Sequence, residues 1–364
     1  MTVYILLMIW SILSASVFLV DGDIRKKKKI YLLLVYIPLI FVSGFRNWNV
    51  GTDTILFYQW YNATANIDGT FGWFITLSEG SPIEFGFVYI GYLLNSFYLD
   101  VQVMIFLVSL VTILGIGYTF YKYSYSIWLS TFLFIALFSY QETMNTARQG
   151  IAAMIMFNAY GYLKNNFKLK YLSMIIFSMM FHFTSVIHAI LLFFMPINVK
   201  KIIYTTLFLG VIILGSWDYI LIYAQSIAPK YLEYMNSEYT TARNLGPGIM
   251  QILGIVIIMI ISVYLNTKNR FNMQEKKDLV IYNIFLFFYI LVIYVQYFLP
   301  IISRINPYVS LYIDMCIPLL LSKINTSYFI KYLLYIIIII MGFVYCLYCM
   351  SIGKHEVVPY SFCF

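Results

Sequence analysis

Two short elements of this 364-residue sequence combine an arginine with other groups that can do chemistry. Arg46 is followed by Gly51-Thr52-Asp53 and then by Tyr58, and Arg148 is followed directly by Gln149. A guanidinium can bind a phosphate or diphosphate through paired hydrogen bonds, and a nearby carboxylate can accept a proton from a hydroxyl group. The two elements therefore indicate a site for an anionic substrate.

Both arginines also have simpler interpretations. Arg46 and Asp53 could form an ion pair that caps a helix, and Arg148 could be an interfacial arginine whose stem lies along apolar surface. Arg148 precedes an apolar run that we expect to be a helix, and a helix start attracts anions through its free N–H groups. An arginine and a helix start facing one site would together attract a phosphate.

Three further residues extend the candidate set. Glu84 is a second carboxylate, His182 interrupts an apolar run beside Thr184 and Ser185, and Arg304 lies between two prolines. A lone helical histidine is most often a packing residue, and for His188 we expect that role. His182, beside two hydroxyl groups, stays open between this packing role and a functional role.

The elements that must position these residues are apolar. Hydrophobic residues make up 62% of the chain and charged residues 10%, and the mean hydropathy is +0.84. A soluble domain carries roughly a quarter charged residues, and a helix needs about 20 apolar residues to cross a bilayer. Long solid apolar runs, as in residues 328–350, favour helices over β-barrel strands. We therefore predict an all-α polytopic transmembrane bundle of about 10–12 spans, forming a single membrane domain over residues 1–364.

The formal charge of +8 comes from short basic clusters between apolar runs, which indicates membrane topology and not nucleic-acid binding. The clusters are residues 25–29, 164–170, 200–201 and 268–277. They all remain cytoplasmic if residues 85–98 and 171–195 dip into the membrane and return as re-entrant segments. This preferred topology puts both termini and two loops, residues 44–84 and 216–248, outside. It also brings Arg46, Asp53, Glu84, Arg148 and Arg304 to the outer face. Glycines and Pro82 predict that residues 44–84 are ordered loop and not helix.

These groups together resemble the EpsG-like branch of the Wzy-type O-antigen and exopolysaccharide polymerases. The resemblance rests on Phe45-Arg46 leading to Gly51-Thr52-Asp53 and Tyr58, on Glu84 with Gly86, on Arg148-Gln149-Gly150, on Phe181-His182-Phe183-Thr184-Ser185, and on Arg304. It covers most of residues 40–310, and no single element is specific alone.

The resemblance implies a multi-pass, metal-independent glycosyltransferase of the bacterial inner membrane, involved in lipopolysaccharide or exopolysaccharide synthesis, with its active site facing the periplasm or exterior. It implies a GT-C-like enzyme that transfers glycan from an undecaprenyl-diphosphate donor to a sugar hydroxyl of a lipid-linked acceptor. Arg46, Arg148 and Arg304, with Gln149 and Tyr58, would bind the diphosphate or substrate, and His182 would assist. Asp53 or Glu84 would act as base.

The expected partners are these lipid-linked oligosaccharides, membrane lipid and a chain-length regulator protein, without nucleic acid. We expect neither a cofactor nor a metal, because no Asp-x-Asp pair and no cysteine–histidine cluster lies in the outer segments. A lipid-linked oligosaccharide flippase or other transporter, which should show pseudo-symmetric halves, and a membrane acyltransferase stay open as alternatives.

Overall fold

The computed structural model describes residues 1–64, 84–194, 246–296 and 300–364, and these residues are almost entirely helical. The α-helices are α1 (Thr2–Leu13), α2 (Ile24–Gly44), α3 (Thr54–Thr64), α4 (Phe85–Ser96), α5 (Val101–Tyr123), α6 (Ile127–Ala136), α7 (Ser139–Asn145), α8 (Ala147–Asn158), α9 (Tyr160–Lys164), α10 (Lys168–Met179), α11 (Leu191–Phe194), α12 (Gly246–Thr267), α13 (Met273–Val295), α14 (Asn306–Lys323) and α15 (Tyr328–Ser351). Short 3₁₀ helices cover Ser14–Leu19, Phe183–Ile190, Pro300–Ile305 and Lys354–Glu356.

The helices confirm an all-α, multi-pass membrane protein. Six helical segments of the described ranges are long and apolar enough to cross a bilayer: Thr2–Leu19, Val101–Tyr123, Gly248–Thr267, Met273–Val295, Ile302–Lys323 and Tyr328–Ser351. Other apolar runs are broken into pieces. The apolar stretch of residues 127–163 forms the short helices α6 to α9, with its first break at Phe138, which has a left-handed φ of 72°.

The described residues group into two compact units. The first comprises Met1–Ile190 and Asn325–Phe364, and the second comprises Leu191–Ile324. The prediction of one membrane domain over the whole chain stays a prediction. All the candidate residues except Arg304 belong to the first unit.

The first unit has two chemically different ends. At one end Lys28 donates to the carbonyl of Tyr121 over 3.4 Å, and the rings of Tyr123 and Tyr160 lie 5.0 Å apart. The basic clusters at residues 25–29 and 164–170 therefore lie at the same end, as the positive-inside rule requires for two cytoplasmic clusters. We name this the basic end.

The opposite end of the first unit, which we name the polar end, gathers the chain around Arg46. Gln102 near the start of α5 donates to the carbonyl of Gly44 over 2.7 Å, and Arg46 donates to the carbonyl of Met144 over 2.8 Å. Helices α2, α5 and α7 thus meet here. The length of α5, about 34 Å at about 1.5 Å per residue, separates this end from the basic end.

The segment expected to dip at residues 85–98 begins and ends at the polar end. Helix α4 starts directly after Glu84, which contacts Arg148. After α4 the chain returns to the polar end at Gln102, in the first turn of α5. The helix is only 12 residues, about 18 Å, which is well short of a bilayer core of about 30 Å. Its two ends therefore agree with a segment that does not cross.

Residues 171–190 also turn back on themselves. Helix α10 ends at Met179, the chain turns at His182, and the 3₁₀ helix returns so that His188 lies 2.8 Å from the hydroxyl of Tyr171. This hairpin carries His182 to its tip. Its shape agrees with the expected dip and return.

The prediction that residues 44–84 are loop and not helix is wrong for Thr54–Thr64, which forms α3. Thr54, Phe57, Tyr61 and Thr64 are buried along one helical face. The stretch Thr54–Thr64 contains neither glycine nor proline, so the residues that predicted a loop do not interrupt this helix. The second expected loop, residues 216–248, lies outside the described residues except at its end, where α12 begins at Gly246.

Candidate active site

Arg148 is placed by a sharp break between two helices. Helix α7 ends at Asn145, and α8 begins at Ala147, so Arg148 stands in the first turn of an apolar helix as the sequence predicted. Gly150 allows this tight junction, because a Cβ atom there would lie 2.8 Å from the carbonyl oxygen of Thr143. The guanidinium of Arg148 is therefore attached to the same helix turn that carries the first N–H groups of α8.

The Arg148 guanidinium is held between a carboxylate and an aromatic ring. Its Nη1 lies 2.5 Å from Oε2 of Glu84, and its central carbon lies 4.3 Å from the ring centroid of Trp60. The arginine side chain is 12% exposed and that of Glu84 is 18% exposed. A charge-assisted hydrogen bond and a cation–π contact together restrict the guanidinium without sealing it from a ligand.

Glu84 links this arginine to the His182 turn. Its Oε1 accepts the backbone N–H of Phe183 over 3.2 Å and lies 3.7 Å from Nε2 of His182. The backbones also touch, because Gly86 N–H donates to the carbonyl of Met180 over 2.7 Å. A Cβ atom on Gly86 would lie 2.8 Å from that carbonyl oxygen. Glycine is thus required for the start of α4 to approach the turn this closely.

His182 and Gln149 complete this group, and both side chains are buried. Nε2 of Gln149 lies 3.2 Å from Nε2 of His182, and Nδ1 of His182 lies 2.6 Å from the hydroxyl of Thr184. The backbone N–H of Thr184 also donates to Nδ1 of His182 over 3.4 Å, so Gln149 and Thr184 together fix the orientation of the imidazole ring. We name Glu84, Arg148, Gln149 and His182 the Glu84–Arg148 cluster.

Arg46 lies apart from this cluster in a fully enclosed place. It is 1% exposed and donates to the carbonyls of Ser43 (2.5 Å) and Met144 (2.8 Å) and to the hydroxyl of Thr54 (3.3 Å). Burial lowers the pKa of its guanidinium to about 10, which leaves it cationic at neutral pH. With the hydroxyl of Ser109 at 3.4 Å, its partners are neutral oxygens of four chain segments, so Arg46 joins the end of α2 to α7, α3 and α5.

Asp53 is half-buried on the other side of the α7–α8 junction. Its backbone N–H donates to Oδ1 of Asn145 over 3.0 Å, and the hydroxyl of Thr52 lies 3.3 Å from its carboxylate. Gly51 precedes it with a φ of +94°, in the left-handed region that favours glycine. Asn145 is three residues before Arg148, so the Asp53 loop and the Glu84–Arg148 cluster flank one junction.

The two remaining candidates stand elsewhere. The hydroxyl of Tyr58 donates to Oε1 of Gln102 over 2.8 Å, which ties α3 to α5. Arg304 belongs to the second unit, where it is exposed in the 3₁₀ helix Pro300–Ile305. The structure thus brings together Glu84, Arg148, Gln149 and His182, and places Asp53 across the junction from them.

Sequence reasoning missed several residues of this region. Trp60 lies in the second turn of α3, and its ring contacts the guanidinium of Arg148. Asn145 holds the Asp53 loop. The aromatic richness of the sequence was a signal for Trp60, but not a specific one. Within the described ranges, no group of three or more His, Cys, Asp or Glu residues is placed to hold a metal ion.

The Glu84–Arg148 cluster can bind an anion and carry a proton. A guanidinium beside a helix start stabilises negative charge, and a carboxylate within reach can accept a proton from a hydroxyl. A search of curated proteins and a search of solved structures each found no match. The model of the EpsG family, however, matches residues 29–362. Because this match covers nearly the whole chain, the protein belongs to the EpsG family and is a polysaccharide polymerase-like membrane protein.

Proposed function

We propose that this protein polymerises lipid-linked oligosaccharide repeat units. It transfers glycan from an undecaprenyl-diphosphate donor to a sugar hydroxyl of a lipid-linked acceptor, at the outer face of the bacterial inner membrane. The observation that carries the proposal is the ion pair of Arg148 with Glu84, at the start of α8 and beside His182. Family membership supports the reaction class.

Arg148 stabilises the leaving diphosphate. Breaking a sugar–diphosphate bond develops negative charge on the departing oxygen, and a fixed guanidinium stabilises this charge without reorganising. Trp60 keeps the guanidinium in place when the diphosphate takes over from Glu84 as its partner. Because the guanidinium supplies the positive charge, the proposed reaction needs no metal ion.

Glu84 is the base of the proposed reaction. A diphosphate that binds Arg148 releases the carboxylate of Glu84 beside the breaking bond, where it can accept the proton of the attacking hydroxyl. His182 lies 3.7 Å from this carboxylate and is fixed by Gln149 and Thr184, so it orients the carboxylate during transfer. Asp53, across the α7–α8 junction, binds hydroxyl groups of the acceptor sugar.

The two ends of the first unit support the proposed outer-face location. The basic clusters lie at one end, which the positive-inside rule assigns to the cytoplasm, and the Glu84–Arg148 cluster is reached from the other. We also propose a chain-length regulator protein as a partner, which would act on the glycan polymerised at this face. Substrate binding by Arg304 stays a separate proposal, which the alanine variant of Arg304 tests in the glycan-ladder assay.

We expect Arg148→Ala to lower repeat-unit transfer by about 10²–10³-fold, because the charge on the leaving diphosphate loses its counter-charge. Cells deleted for the gene should carry single repeat units in place of a ladder of long chains, and this variant should not restore the ladder. The measurement is the glycan ladder on a gel, with membrane levels of the protein compared in parallel.

Arg270→Ala is the matched control, because Arg270 is an exposed arginine near the start of α13. It should restore the ladder fully, and Arg148→Lys should restore it weakly because an ammonium cannot form paired hydrogen bonds. In a purified assay, a chelator such as EDTA should leave the rate unchanged. Long chains from Arg148→Ala would contradict the mechanism, and normal glycan in the deletion strain would contradict the function.

Gly86→Ala should lower the rate of repeat-unit transfer, although it replaces no residue of the Glu84–Arg148 cluster. The added methyl group would meet the carbonyl of Met180, so α4 must move and carry Glu84 away from the His182 turn. A displacement of about 1 Å can cost about 100-fold in rate. The rate of repeat-unit transfer by purified protein is the measurement.

Gly254→Ala is the control for this substitution, because a Cβ atom on Gly254 meets no atom within 4 Å. It should behave as wild type. Equal rates for the two alanine variants would show that the close approach of α4 to the turn does not matter for activity.

A further inference from the structure

The C-terminal tail, residues 353–363, packs along the loop that carries Asp53. The backbone N–H groups of Gly51 and Thr52 donate to the carbonyls of Glu356 and His355, each over 3.1 Å. Further along, the N–H of Asn47 donates to the carbonyl of Ser361 over 3.0 Å. The tail therefore supplies the hydrogen-bond acceptors that hold the loop of residues 45–53.

The tail adopts an unfavourable backbone to reach this position. His355 and Glu356 have φ values of 59° and 49°, in the left-handed region, and neither is glycine. This conformation costs roughly 1–2 kcal/mol per residue. Such strain persists only where surrounding contacts enforce it, and it is concentrated at functional sites. The contacts that enforce it here are those with the Asp53 loop.

One contact determines the orientation of the Asn145 side chain. The backbone N–H of Asp53 can only donate, and it lies 3.0 Å from Oδ1 of Asn145. The other amide atom of Asn145, Nδ2, therefore carries the protons. It lies 3.3 Å from Nδ1 of His355 and 3.0 Å from the hydroxyl oxygen of Thr52.

The orientation of Asn145 in turn determines the tautomer of His355. Since Asn145 Nδ2 donates, Nδ1 of His355 accepts, and a neutral imidazole then carries its proton on Nε2. That nitrogen lies 3.9 Å from Oε1 of Glu142. The His355 ring is also stacked on Phe138, at 6.3 Å between centroids and 17° between planes. His355 is thus held in one orientation with its acceptor nitrogen toward Asn145.

The same chain of bonds continues to the carboxylate of Asp53. The hydroxyl oxygen of Thr52 accepts from Asn145 Nδ2, which leaves the hydroxyl proton for the Asp53 carboxylate at 3.3 Å. His355 is therefore connected to Asp53 through the side chains of Asn145 and Thr52, and through its own carbonyl to the N–H of Thr52.

We propose that His355 is a positioning residue that fixes the carboxylate of Asp53 through Asn145 and Thr52. Its role in activity rests on the proposed function, because Asp53 is there assigned to the acceptor sugar. The imidazole itself does not touch substrate. The tail thereby becomes part of the site, although it lies far from the other site residues in sequence.

Two substitutions separate the acceptor nitrogen of His355 from its backbone conformation. His355→Gly relaxes the left-handed backbone and removes the acceptor, and His355→Asn tolerates the same backbone and places an amide oxygen near the position of Nδ1. We expect His355→Gly to raise the KM for the acceptor roughly tenfold and His355→Asn to stay within about twofold of wild type.

A second measurement does not depend on the reaction. In purified full-length protein, amide hydrogen exchange in residues 46–57 should be about tenfold faster for His355→Gly than for wild type, and unchanged for His355→Asn. A protein without polymerase activity would contradict the proposed function, and the exchange result would still test the positioning role.

The remaining outcomes are decisive in the other direction. Wild-type exchange and wild-type KM for His355→Gly would overturn the positioning role. If His355→Gly and His355→Asn raise the KM for the acceptor equally, the proposal that His355 acts through Nδ1 is overturned. A fall in kcat with unchanged KM for His355→Gly would overturn the connection to Asp53.

Discussion

Glu84→Gln is expected to lower kcat for repeat-unit transfer by about 10²–10⁴-fold with little change in KM. Glutamine keeps the size of the side chain, and its single amide oxygen can still accept from Arg148, while its NH2 group takes the place of the oxygen that accepts from the N–H of Phe183. The substitution therefore removes the proton acceptor and one backbone hydrogen bond, and it keeps the contact with Arg148. Steady-state kinetics with a purified lipid-linked acceptor and donor give the two constants separately.

Asp53→Asn is the matched control for this result. It removes the other carboxylate that flanks the α7–α8 junction and is expected to raise the KM for the acceptor with a smaller change in kcat. The reverse pattern, in which Asp53→Asn loses kcat and Glu84→Gln raises only KM, would exchange the two roles. Wild-type constants for both variants would remove the carboxylates from the mechanism.

The fold class could be predicted from the sequence because bulk composition controls it. Water cannot solvate a chain that is 62% hydrophobic and 10% charged, and only helices satisfy the backbone of long apolar runs in lipid. The interruptions were harder to predict. The apolar stretch of residues 127–163 breaks at Phe138, where there is neither a glycine nor a proline. The backbone of Phe138 is left-handed, and its ring stacks on His355. Such a break depends on a tertiary contact.

The candidate site could be predicted as a set of residues but not as an arrangement. Glu84, Arg148 and His182 stood out because charged and polar groups are costly in an apolar chain. Their pairing was not visible, since Glu84 and Arg148 are 64 residues apart in sequence. The tail was not visible either. Its residues act through backbone carbonyls and one histidine nitrogen, which no pattern of residue types reveals.

Arg46 shows why burial must be known before an arginine is assigned a role. From the sequence alone, Arg46 and Arg148 are equal candidates for anion binding, because each lies in a polar segment next to an apolar run. In the structure Arg148 keeps an exposed edge, and Arg46 is enclosed with its donors occupied by oxygens of the protein. We therefore propose that Arg46 supports the site by joining α2 to α7, directly before the junction that carries Arg148.

Arg46→Ala is accordingly expected to lose folded protein before it loses chemistry. The substitution leaves the buried carbonyls of Ser43 and Met144 without a donor, and each such loss costs about 1–3 kcal/mol, or about 2–6 kcal/mol for the two together. A cost of that size approaches the whole stability of many domains. The measurements are the membrane level of monodisperse protein and its melting temperature in detergent.

The exposed Arg270 again provides the control, because Arg270→Ala removes the same side chain without uncovering any buried carbonyl and should leave level and melting temperature unchanged. Arg46→Lys should recover part of the loss, since an ammonium can reach one of the two carbonyls but not both. A different outcome would favour direct binding: if Arg46→Ala accumulates and melts as wild type but makes no long chains, Arg46 contacts the diphosphate. The enclosed geometry would then have to open when substrate binds, because a guanidinium bonded to Ser43 and Met144 has no edge to offer a ligand.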